Sequence, residues 1–80
     1  MDIANLEPGK RYVFYTKPWQ PPVGEVIQGE AKVRMFIGQQ NKGAAGMPKV
    51  PFVEVARGNG TQHLIAVETI DRIEPAVFAN

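Results

Sequence analysis

Residues 52–67, FVEVARGNGTQHLIAV, decide the fold class. Two short apolar runs, Phe52 to Arg57 and Thr61 to Val67, flank the tripeptide Gly58-Asn59-Gly60. In the first run Val53 and Val55 alternate with Glu54, the period of two that sends every second side chain to the same face of a strand. This predicts Val53 and Val55 facing inward and Glu54 facing out. Asn-Gly between such runs signals a hairpin, because both central residues of a type I′ turn take positive φ and these two residue types tolerate it best.

The same pattern extends upstream. Arg11-Tyr12-Val13-Phe14-Tyr15-Thr16 is rich in aromatic and β-branched residues and follows the turn-forming Glu7-Pro8-Gly9-Lys10, which predicts a first strand. Three prolines in Lys17-Pro18-Trp19-Gln20-Pro21-Pro22 exclude a central strand there and favour an extended loop. A second strand is expected from about residue 24 to 37, bent near Gly29, with Ala31, Val33, Met35 and Ile37 facing in and alternating with Glu30, Lys32, Arg34 and Phe36. Residues 38–50 hold two lysines and the stretch Gly43-Ala44-Ala45-Gly46-Met47 and repeat with neither period, so they read as a flexible loop. Downstream, Ile70 and Ile73 stand three apart, as in one turn of 3₁₀ helix that Pro75 stops, and Ala76-Val77-Phe78 offers a last short strand.

These elements predict an all-β chain: one domain over residues 1–80, a small, antiparallel, strongly bent β-barrel of four to five strands with one 3₁₀ turn near the C-terminus. Closing the sheet would remove the edges that otherwise template aggregation. The chain has 80 residues, 44% of them hydrophobic and 21% charged, which suits one globular core and is too apolar for disorder. A core this small leaves a thin stability margin, and a homo-oligomer would widen it.

The inventory narrows the chemistry. With one histidine, no cysteine and no serine, nucleophilic triads of the Ser-His or Cys-His kind are excluded, as are disulfides and thiolate metal sites. The carboxylates are scattered and form no metal-like cluster, and the glycines at 43 and 46 lack the Lys-Ser/Thr ending of a phosphate loop. No catalytic, metal or cofactor residues are expected. No run approaches the roughly 20 apolar residues of a membrane span, and Met1-Asp2-Ile3 lacks the regions of a signal peptide, so the expectation is a cytoplasmic protein without membrane contact.

Leu6, Gly9 and Lys10 leading into strand one, Gly24-Glu25-Val26 opening a bent strand, and the ending from His63 to Ile73 resemble the SH3-like and Sm-like small β-barrels. Such barrels serve as peptide readers, RNA rings, phage proteins and enzymes. The run Gln62-His63-Leu64-Ile65-Ala66-Val67 with Ile70, Arg72 and Ile73 also resembles the last strand and turn of the plasmid-type dihydrofolate reductases, with His63 and Ile65 where that family carries glutamine and tyrosine.

Nine Lys and Arg against eight Asp and Glu leave a net charge of +1, so any polyanion binding must rest on a local patch. The candidate patch is basic with interleaved aromatics: Lys10, Arg11, Tyr15, Lys17 and Trp19 near strand one, Lys32 and Arg34 on one face of strand two, Lys42 and Lys49 on the loop. Cations there would meet phosphates while bases stack on Trp19 or an exposed tyrosine. The expected function is a non-enzymatic binding module for single-stranded nucleic acid. The alternative is an accessory protein, of the phage or mobile-element type, that docks on a protein partner through the 38–50 loop.

Overall fold

The computed structural model describes residues 2–76. Five antiparallel strands form one sheet: β1 (Arg11–Thr16), β2 (Ala31–Lys42), β3 (Val50–Ala56), β4 (Gln62–Ala66) and β5 (Ile70–Pro75), in the order β4-β3-β2-β1-β5. The helical content of the described residues is two 3₁₀ turns, Ile3–Asn5 and Val67–Thr69. No helix among them is long and apolar enough to cross a membrane.

With no helical layer to cover it, the sheet must bury its apolar face against itself. Tyr12, Phe14, Phe36, Val53, Val55, Ile65 and Ile73 form the core, contributed by all five strands, and Leu6 closes it from the N-terminal segment. The pairs Phe14↔Ile73, Phe36↔Val55 and Val53↔Ile65 lie directly opposite each other and so share one face. The link from β4 to β5 demands curvature as well. Ala66 and Ile70 are four Cα steps apart, at most about 15 Å. A flat five-stranded sheet would hold its edges about 19 Å apart at roughly 4.8 Å per strand. Among the described residues β4 and β5 form no ladder with each other, so the pairing draws a curled open sheet and not the closed cylinder expected from the sequence.

Several boundaries differ from the sequence reading. Residues 24–30 are no strand; Pro21 and Pro22 lack donors, Gly24 takes φ +113°, and the segment keeps a single bridge, Trp19↔Ile27. The 38–50 loop shrinks to residues 43–49, because β2 runs on to Lys42 and β3 begins at Val50, paired with it. The inward face of β2 is the opposite one: Phe36 is buried and Val33 is 42% exposed. Opposed to Tyr12 and Phe14, Arg34 and Lys32 share Phe36's side, where long aliphatic stems can line apolar surface.

Ile70 and Ile73 belong to β5, and the 3₁₀ turn precedes them at Val67–Thr69. Thr16 pairs with Ile70 but Tyr15 with Arg72, so Asp71 is an extra residue in a bulge. That bulge turns a spacing of three into a strand with both isoleucines toward the core. The 58–60 turn is a hairpin, though not type I′: Gly60 alone takes positive φ, +89°, and its N–H donates to the Arg57 carbonyl at 2.9 Å. This is the three-residue loop with a left-handed glycine at its end. Of the expected last strand, Val77 and Phe78 lie outside the described residues.

Candidate functional site

Antiparallel pairing lines up one residue from each of four strands. Arg11 lies opposite Met35, Met35 opposite Ala56, and Ala56 opposite Gln62, so this row shares a face across β1 to β4. Val33 extends the row along β2, and the Arg57–Gly60 turn closes it. Together with Arg34 they line a groove of about 470 Å³. Among the described residues three guanidinium groups border it, and none of its lining is Asp or Glu. The floor, Val33, Met35 and Ala56, is apolar.

Arg34 is held at two points. Its Nε–H donates to His63 Nε2 at 3.0 Å and its Nη1 to the Val33 carbonyl at 2.8 Å. The first bond needs a lone pair on Nε2, so His63 is neutral with its proton on Nδ1. Desolvation holds the His63 pKa below the ordinary histidine value, and the charges of Arg34, Arg57 and Lys32 push it the same way, against an opposing hydrogen bond with the Leu64 backbone. His63 borders a second, shallower depression that shares Gln62 with the groove.

The nine residues singled out in the sequence sort into separate places. Arg11 and Arg34 meet in the groove. Lys10 is ion-paired with Glu7, whose hydrogen bond and charge raise the lysine pKa. Lys32 lies 3.9 Å from Glu30. The Tyr15 ring is covered by the Arg72 guanidinium, 3.9 Å from its centroid, which closes that face to a stacking base. Lys17 and Trp19 stand at the far end of β1 from Arg11, in the loop 17–30. Trp19 is 57% exposed there and exchanges backbone hydrogen bonds with Ile27 at 2.8 and 2.7 Å. Lys42 and Lys49 sit at the 43–49 loop; Lys42 is eleven residues along β2 from Ala31, up to about 36 Å at roughly 3.3 Å per residue. One continuous basic and aromatic groove is therefore not what the fold assembles.

Arg57 is not singled out in the sequence, and His63 is noted there at the position of the reductase family's glutamine and not as part of the basic patch. Both flank the Gly58–Gly60 turn, and each alone looks like an ordinary strand-end residue. The available signal was the hairpin register, which returns β4 beside β3. Ile65, at the tyrosine position of the reductase-like stretch, is buried in the core. No family model matches the chain, nor does any curated protein or solved structure.

Proposed function

We propose that this chain is a non-enzymatic binding module that takes single-stranded nucleic acid by its phosphates on the Arg34–Arg57 groove. The strand order and the 3₁₀ turn leading into β5 support reading the curled sheet as an SH3-like barrel that carries this groove at one end. One observation carries the functional reading. Arg34 of β2 and Arg57 of the turn after β3, 23 positions apart (57 − 34), meet on a groove whose lining among the described residues includes no carboxylate, in a chain of net charge only +1. Guanidinium is a planar fork suited to phosphate oxygens, and Arg34 is already oriented by its two hydrogen bonds.

Two phosphate contacts on a single strand predict a slope of about −1.4 in log affinity against log salt. Raising salt from 50 to 200 mM should then weaken binding about sevenfold. Fluorescence anisotropy with a labelled random 20-mer measures this, and Arg57→Ala should halve the slope. Salt-independent binding, or a slope that the Arg34→Ala/Arg57→Ala double variant keeps, refutes the groove.

A second reading has its own observation. Trp19, Val23, Val26 and Ile27 are 46–89% exposed within one loop, an apolar surface of the kind protein partners cover. Binding of a protein partner that Trp19→Ala abolishes and Arg57→Ala spares would favour it.

A further inference from the structure

His63 lines the depression beside this groove and reaches it through its hydrogen bond with Arg34. The groups facing it are Arg34 and Lys32 from β2, Arg57 from the end of β3, and, across the shallow depression, Lys42 of β2 and Glu54 of β3. The Glu54 carboxylate already accepts from Gln40 Nε2. Among these described residues cations outnumber carboxylates around the imidazole by four to one.

We infer that His63 is the proton-linked element of the groove: neutral, it orients Arg34 by accepting from its Nε–H, and protonated, it releases that bond and joins Arg34 and Arg57 as a third cationic donor on a bound phosphate. This rests on the reading of the groove as a phosphate site. The geometry forces the exchange. Once Nε2 carries a proton, two N–H donors point at each other across 3.0 Å, and neither has another acceptor among the described residues. Once the two side chains turn apart, one phosphate oxygen can accept from both. An empty groove thus disfavours the imidazolium and an occupied one favours it, so binding takes up one proton. The low pKa of the free histidine, which desolvation and the three cations produce, is the unliganded half of that cycle.

The consequence is affinity that tightens on acidification. For one linked proton the rise is up to about tenfold per pH unit, in the window between the free and bound pKa values of His63. The phosphodiester itself does not titrate there, and His63 is the only histidine in the chain, so its imidazole NMR signals need no assignment.

The test uses the full chain and a labelled single-stranded random 20-mer at constant ionic strength. Imidazole resonances are followed across pH 5 to 8 with and without the oligonucleotide, and affinity is measured at pH 7.5 and 5.5. The expected result is a titration midpoint that moves up when the oligonucleotide is added, with affinity rising as pH falls. In His63→Gln the side-chain carbonyl still accepts from Arg34 but cannot titrate, and affinity should be the same at both pH values. A midpoint that stays put on a bound oligonucleotide, or equal pH slopes for wild type and His63→Gln, overturns the proton linkage while Arg57-dependent binding leaves the groove standing. Absence of binding, or binding indifferent to Arg57→Ala, overturns the groove and the linkage together. The NMR arm needs no variant, so misfolding of His63→Gln cannot mask the outcome.

Discussion

Gly29→Ala is the substitution for which the structure makes the sharpest demand. A Cβ at Gly29 would lie 2.0 Å from the Thr16 carbonyl oxygen, 3.1 Å from the Thr16 carbonyl carbon and 3.4 Å from that of Lys17. All three are backbone atoms, so no side chain can swing aside. The two segments must separate by at least an ångström, and Thr16, the last residue of β1, is paired with Ile70 of β5. Thr16 N–H donates to Glu30 O at 2.8 Å, Glu30 N–H to Thr16 Oγ1 at 2.8 Å, and Lys17 N–H to Thr69 O at 2.8 Å. Losing two such bonds costs about 2 kcal/mol at roughly 1 kcal/mol each. Residual crowding adds about 1 to 3 kcal/mol, so a total of about 3 to 5 kcal/mol is expected. In a domain of this size each 1 kcal/mol lowers Tm by about 4–8 °C, giving a fall of roughly 12 to 40 °C. Gly58→Ala is the control, since a Cβ there meets nothing within 4 Å and the residue has no positive φ. It should hold Tm or raise it, by up to about 1 kcal/mol of reduced unfolded-chain entropy. Thermal and urea melts followed by far-ultraviolet circular dichroism decide the comparison. Trp19, the single tryptophan, reports on the loop itself, and its emission should shift red as the loop loosens. A Gly29→Ala protein within about 0.5 kcal/mol of wild type would refute the clamp of the 17–30 loop onto β1, given that such small changes are what surface positions show.

Two further changes test the core and the histidine. The Tyr12 ring is buried and its hydroxyl oxygen accepts the Glu7 N–H at 2.9 Å, so Tyr12→Phe should cost about 1 kcal/mol, read as a lower urea midpoint at unchanged m-value. Because the folded chain holds the His63 pKa below its unfolded value near 6.5, the unfolded chain binds the proton more readily, and stability should fall as pH drops below about 6.5. Urea titrations from pH 8 to 5 should show that loss in wild type and a flatter profile in His63→Gln; a profile rising toward acid would reverse the assigned direction.

Most strand cores were legible in the sequence because alternation and β-branched residues act locally. β1 matches its expected bounds, and Val53 and Val55 are fully buried while Glu54 is not. What escaped reading depended on pairing across the sheet. The inward face of β2 was assigned by counting apolar residues, yet the register with Tyr12 and Phe14 fixed it, and one buried Phe36 outweighed the partly exposed Val33. The Ile70–Ile73 spacing looked helical because a bulge adds one residue to a strand, a change that no window of local sequence reveals. The site was less legible still. Lysines and aromatics close in sequence were grouped, but a strand advances roughly 3.3 Å per residue and soon carries neighbours apart.

The fold also explains how a chain of net charge +1 can present a local cationic field. Lys10, Lys32 and Arg72 each lie beside a carboxylate, Glu7, Glu30 and Glu74 respectively, and β1 carries the groove at Arg11 away from the apolar loop that follows Thr16. Five residue steps of strand separate those ends by about 17 Å at roughly 3.4 Å each. At 0.1 M salt the Debye length is about 10 Å, so exposed charges on the loop are largely screened from a phosphate at the groove. Composition averages over that distance and reports near neutrality, whereas a bound anion responds to the groups within one screening length. At the groove those are guanidinium groups, with a histidine beside them, and the fold of the sheet brings Arg34 to Arg57 and His63, each more than twenty positions away in sequence.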